Sequence, residues 1–134
     1  MDMKEIKAMD KVYLEEYDVH VNPYLTYAQI QAIVNGVKGL DNWAEREQNI
    51  DMCVLAFATD IPTEKLEEIG HDALLQSGLI HEVDGEIKNL YDVYEAIEYT
   101  ESTKRALAQI VKALPKYQEQ LDAVVKKYGN LTTK

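Results

Sequence analysis

The stretch Asn42-Trp43-Ala44-Glu45-Arg46-Glu47-Gln48-Asn49-Ile50-Asp51-Met52-Cys53-Val54-Leu55-Ala56-Phe57 decides the fold. Its last six residues are apolar without interruption, and read alone they fit a buried strand as well as a helix. The residues before them favour the helix. Asn42 is a strong helix N-cap, and Glu45 stands three residues on, where a capping box places its acid. The polar run Glu45–Gln48 follows, as expected of a first turn. Trp43, Arg46, Ile50, Cys53, Val54 and Phe57 fall on one face. From Met52 to Phe57 the segment is apolar all round, which marks a central, buried helix.

Upstream, Thr26-x-x-Gln29 forms a second capping box, with Leu25 and Ile30 placed as a hydrophobic staple across it. Ile30, Ile33, Val34 and Val37 make the apolar face of this helix, and Gly39 ends it. Residues 1–20 read two ways. Ile6, Met9, Val12/Tyr13 and Tyr17 keep helical spacing, while Val12 to Val21 is rich enough in Tyr and Val to be extended. Pro23 closes that segment.

Downstream, Thr63 is expected to cap a short turn ending at Gly70, and Asp72 to Ser77 a second, ending at Gly78. Leu79-Ile80-His81-Glu82-Val83 and Glu86-Ile87-Lys88 then flank Asp84-Gly85, a strong two-residue turn signal, so a β-hairpin is expected there. Asn89 is placed to cap a long helix with the stripe Leu90, Val93, Ile97, Thr100, Leu107, Ile110/Val111 and Leu114. A break near Thr100–Thr103 is compatible with the pattern. Pro115 is expected to stop this helix and open a final one, whose buried stripe is Tyr117, Leu121, Val124 and Tyr128, ending at Gly129. The class is therefore mainly α: a compact bundle of about five helices with one small β-hairpin near residues 79–88. One domain over 1–134 is expected, with 1–20 an N-terminal arm or extra element and 129–134 a short polar tail.

The 134 residues are 46% hydrophobic and 28% charged, the balance of a globular protein. The unusual quantity is a formal net charge of −10. A duplex-binding protein needs a basic footprint, so sequence-specific nucleic-acid binding is not expected. A winged-helix reading fails similarly, since its wing tip would be Asp84-Gly85-Glu86 beside Glu82. Met1-Asp2-Met3-Lys4-Glu5 does not begin a basic region leading into an apolar run, and the longest apolar stretch falls far short of the ~20 residues that span a bilayer. A cytosolic setting and no membrane partner are the expectation. Cys53 is the only cysteine, and its apolar surroundings read as an inert buried thiol.

Signatures for chemistry are weak. His71-Asp72 resembles the metal-binding pair of phosphohydrolases, and Glu68-x-x-His71 matches half of a di-iron carboxylate site. Either needs further ligands from neighbouring helices, and His20 and His81 are not placed on recognisable ligand helices. Gly36-Val37-Lys38-Gly39 reads as a helix end, and Asp84-Gly85 lacks the acidic pattern of a calcium loop. No nucleophile elbow or triad suggests itself. The expectation is no enzyme, no catalytic residue, no metal and no cofactor.

The charge is unevenly distributed. Residues 1–100 hold 7 basic and 21 acidic side chains, whereas 101–134 hold 7 basic and 3 acidic. An acidic body joined to a basic C-terminal segment suits packing within one subunit, or head-to-tail contacts that close into rings or grow into filaments.

Pro23-Tyr24-Leu25-Thr26-Tyr27-Ala28-Gln29-Ile30-Gln31, Asn42 to Asp51 and Ala58-Thr59-Asp60-Ile61 resemble small structural-module proteins of tailed bacteriophages and prophages. Ser77-Gly78-Leu79-Ile80, Tyr99-Thr100-Glu101-Ser102 and Arg105 to Ile110 extend the likeness, which covers most of residues 12–115. The nearest comparison is with head–tail connector (neck) proteins. The resemblance implies a mostly helical virion protein and a homo-oligomeric ring docked beneath the portal against adjacent neck or tail proteins, with DNA passing through the ring. It implies assembly in the host cytoplasm and residence in the virion, and carries no catalytic residues. His81, Asp84 and Glu86 of the expected hairpin, with Lys116, Lys126, Lys127 and Tyr128 of the basic end, are the candidate interface residues. The competing expectation is a small acidic phage-encoded inhibitor or DNA mimic, presenting Glu64, Glu67, Glu68, Glu82, Asp84 and Glu86 to a host protein. A small metal-dependent hydrolase is the third.

Overall fold

The computed structural model describes residues 5–128, without the side chains of Tyr117, Lys127 and Tyr128. The 129–134 tail lies outside the described residues. The chain forms two compact units, Met1–Ile97 and Glu98–Lys134. The described residues hold β1 (Val12–Leu14), β2 (Val19–Val21), α1 (Tyr27–Val37), α2 (Trp43–Ala58), α3 (Thr63–Ile69), α4 (His71–Gln76), α5 (Leu79–Glu86) and α6 (Leu90–Tyr128). The class is mainly α with one two-stranded antiparallel hairpin, as expected.

The hairpin is not where Asp84-Gly85 pointed. It lies at Val12–Val21, with Val12 opposite Val21 and Leu14 opposite Val19. Asp18 holds the left-handed conformation (φ 52°) that closes the turn, and Tyr13 Oη donates to its carboxylate at 2.6 Å. Alternation decides this segment: Val19 and Val21 enter the core while Tyr13 and His20 pack together on the other face. The second edge of β2 is also covered, because Val21 bridges to Thr59 and Asn22 N–H donates to Ala58 O at 2.6 Å.

Residues 79–86 are helical instead. Leu79, Ile80, Val83 and Ile87 are all buried, a helical spacing that a strand would split between two faces. The type I′ hairpin turn that Asp-Gly favours needs positive φ at both central residues, yet Asp84 and Gly85 adopt ordinary helical backbone. Burial of four aliphatic side chains outweighs a local turn preference. Gly78, left-handed at φ 83°, makes the entry to α5.

The core of the Met1–Ile97 unit gathers β2, α1, α2, α3, α4, α5 and the first turns of α6, through Val93 and Ile97. Leu25, Ile33, Leu55 and Leu66 are fully buried, each stabilising the unit by about 1.5–3 kcal/mol. The Thr26–Gln29 capping box forms with both of its hydrogen bonds, and Leu25 and Ile30 are buried as a staple requires. Asn42 Oδ1 accepts from Ala44 and Glu45 N–H. Trp43 is not on the buried face: it is 77% exposed at the first position of α2, and the helix buries its apolar side only from Ile50 onward. Pro62, not Thr63, is the residue before α3.

Two further expectations are corrected in α6. It has no break at Thr100–Thr103, and Pro115 lies inside it without ending it. Asn89 turns its side chain to the main chain of Leu25, accepting from its N–H at 2.9 Å and donating to its carbonyl at 2.8 Å.

Candidate functional site

Two surfaces concentrate unusual chemistry, one in each unit. In the first, α2 presents Glu47 and Asp51 one turn apart. His71, the first residue of α4, sets Nε2 2.8 Å from Asp51 Oδ2, with both side chains nearly buried. Tyr94 Oη donates to Glu47 Oε2 at 3.2 Å. Burial, then the charge of Glu47 and this hydrogen bond, hold the Tyr94 hydroxyl protonated far above its usual range. Asp84 faces the same cluster from α5. Its burial, followed by repulsion from Asp51 and Glu47 against the opposing pull of His81, pushes its carboxyl up to about 6.

The His71–Asp51 pair ties α4 to α2. Gly70, at φ 85°, separates α3 from α4, so Glu68 and His71 do not share a helix. Among the described residues, no group of three or more His, Cys, Asp or Glu side chains is arranged to hold a metal ion. His20, by contrast, lies on β2 with Nδ1 3.0 Å from Asp60 Oδ2. The His20 main-chain N–H also bonds Asp60, which lowers its carboxyl below the usual carboxylate range.

Asp84 supplies a pH-dependent prediction. A carboxyl whose folded pKa is raised binds its proton more tightly when folded, so its contribution is most favourable below about pH 4 and is lost as pH rises through about 6. Asp84→Asn, which removes the charge, is expected to stabilise the protein at pH 7 by about 1 kcal/mol, the linkage value being discounted for a half-exposed group. The gain should vanish near pH 4. Urea unfolding at the two pH values measures it; an equal gain at both would show that the carboxylate's charge is not the cause.

A cleft of about 460 Å³ lies between the hairpin and α3–α4, lined by Tyr17, Val19, Ile61, Ile69 and Leu74, with Asp18, Asp60 and Lys65 supplying charge. Tyr17 Oη donates to Ser77 O at 2.9 Å, and Asp60 is held by His20.

The second surface is in α6, within Glu98–Lys134. The stripe expected to be buried there is exposed: Leu107, Ile110, Leu114, Leu121 and Val124 are each more than half accessible, as are Val111 and Val125 beside them. Lys104, Arg105, Lys112, Lys116 and Lys126 are exposed on the same helix.

The candidate interface residues therefore divide. His81, Asp84 and Glu86 lie on α5, where only His81 is exposed and Asp84 is half-buried among carboxylates. Lys116 and Lys126 are exposed on α6, and Lys127 and Tyr128 occupy its last positions. Of the residues expected of a phosphate mimic, Glu64, Glu67, Glu68 and Glu82 are exposed, while Asp84 and Glu86 are half-buried. The sequence reading missed the Asp51–His71 pair and the contacts of Glu47 and Tyr94, because their partners are distant in sequence.

No protein-family model, curated protein or solved structure matches this chain. No helix among the described residues is long and apolar enough to cross a membrane.

Proposed function

We propose that this chain is a structural subunit that acts by self-association and partner docking: a head–tail connector (neck) subunit of a tailed bacteriophage, forming a ring below the portal. The observation that carries the assembly role is the exposed apolar face of α6. An uncovered aliphatic stripe of this length on a charged helix is favourable only when another surface removes it from water.

The charge division supports the same reading. Residues 1–97 carry 20 acidic and 7 basic side chains, and 98–134 carry 4 acidic and 7 basic. Opposite signs on two parts of one chain favour ordered contacts between copies and penalise like-to-like encounters. An acidic wall would also repel the phosphates of passing DNA, leaving the duplex free to slide through a ring. The phage assignment is supported by the resemblance carried by Pro23–Gln31, Asn42–Asp51 and Arg105–Ile110.

Light scattering of the purified chain, alone and with isolated portal rings, tests the proposal. Oligomers that bind portal rings are expected, with the protein present in purified particles. A chain that is strictly monomeric and does not bind portal overturns the reading. An inhibitor would instead be absent from particles.

A further inference from the structure

We infer that residues 105–126 of α6 form a parallel coiled coil with other copies of this chain, in a bundle of more than two helices. This deepens the self-association part of the proposed function and rests on it, but not on the placement in a phage neck.

The register is legible once the exposure of α6 is known. With Leu107 at position a of a heptad, Leu114 and Leu121 are also a, and Tyr128 follows at the next a. Ile110, Tyr117 and Val124 fall at d. Apolar residues thus alternate at three- and four-residue spacing through three heptads, the pattern that keeps one seam facing a partner through a left-handed supercoil. Leu107, Leu114, Leu121, Ile110 and Val124 are all exposed.

The charges obey the same register. Arg105, Lys112, Glu119 and Lys126 are at f, Lys116 is at c and Asp122 at b. No charged residue between 105 and 126 stands at a, d, e or g; Lys104 at e and Lys127 at g flank the segment on either side. Position e holds Val111, Gln118 and Val125, and position g holds Ala106, Ala113 and Gln120. Identical copies can therefore meet along this face without opposing like charges, the condition that a second copy must satisfy. Pro115 is at b, on the outer side of the seam.

Size and residue choice argue for more than two strands. The segment is about 33 Å of helix, and half the circumference of a helix ~10 Å across gives ~500 Å² per copy. Two copies would bury ~1,000 Å² together, the lower limit for a stable interface. Val111 and Val125 widen the face so that each helix can touch two neighbours. Leu at a, with β-branched Ile110 and Val124 at two of the three d positions, favours trimers or tetramers over dimers. An anionic membrane surface is the less fitting occupant, because the attached unit carries 20 acidic against 7 basic residues.

Sedimentation of the full chain across the micromolar range tests the inference. The expected species is a trimer or tetramer unit, and L114E/L121E should weaken association about 100-fold or more. Both positions are exposed, so circular dichroism should show the variant still folded. The outward-facing Gln109→Glu should leave association unchanged. In a C53S background, L107C should form disulfide-linked copies under mild oxidation, since a parallel seam brings equivalent a positions together.

Unaltered association of L114E/L121E overturns the coiled coil, and failure of L107C to cross-link overturns its parallel arrangement. A monomeric wild-type chain that floats with phosphatidylcholine–phosphatidylserine vesicles overturns it in favour of a lipid surface. A monomer that still binds portal rings sinks the coiled coil but leaves portal docking standing. A bundle that does not bind portal, from a protein absent from particles, does the reverse.

Discussion

Asn89→Leu is expected to destabilise the Met1–Ile97 unit by about 3–5 kcal/mol, because it leaves two main-chain groups buried without partners. Asn89 is among the buried residues, and its carboxamide engages both polar groups of Leu25. The amide thereby substitutes for a neighbouring strand. Leu25 is itself only 1% exposed, so water cannot reach its N–H and C=O once the carboxamide is gone. Each orphaned group costs about 1–3 kcal/mol. The damage falls next to the Thr26 cap, where the chain enters α1. Beside it, Lys88 N–H donates to Pro23 O at 2.8 Å, so the variant loosens one side of a paired segment. Urea unfolding followed by far-ultraviolet circular dichroism measures the loss. A change below about 1 kcal/mol would show that these two hydrogen bonds do not anchor the segment.

Pro115→Ala acts in the opposite direction. Proline in a helix interior has no N–H for the carbonyl four residues back, here Val111, and its ring crowds that carbonyl. Alanine restores the hydrogen bond and is about 3 kcal/mol more favourable in such a position. The expected result is slower hydrogen exchange at residues 112–119 by about 100-fold. Exchange in the Met1–Ile97 unit should not change. If the 112–119 amides exchange at the wild-type rate, then Pro115 does not limit the stability of this segment.

The parts of the fold legible in sequence are those fixed by neighbours. Thr26 with Gln29, and Asn42 with the amides after it, are caps because short side chains reach groups two or three residues away. The glycines at 39, 70 and 78 were readable as helix ends for an equally local reason, the lack of a Cβ that permits positive φ, and all three have it. Asp84-Gly85 misled because a two-residue preference is weak beside the burial of Leu79, Ile80, Val83 and Ile87. The hairpin at Val12–Val21 was legible only as one of two alternatives, since its apolar residues satisfy both periods until a core selects one.

The candidate surfaces were less legible for a different reason. The apolar stripe of α6 was readable by spacing, but spacing does not say whether the same chain covers it. His71 and Asp51 are 20 residues apart, and nothing local links them. Asn89 was readable as a residue with capping chemistry. That it bonds to a main chain 64 residues away depends on how α1 and α6 enter the core.

The position of Trp43 has a consequence for spectroscopy. It is the only tryptophan and already stands in water at the start of α2, so unfolding changes its surroundings little. Its emission is a poor gauge of stability. It is instead a built-in reporter for whatever lands on that end of the helix, shifting to the blue only when a neighbour excludes solvent from the indole.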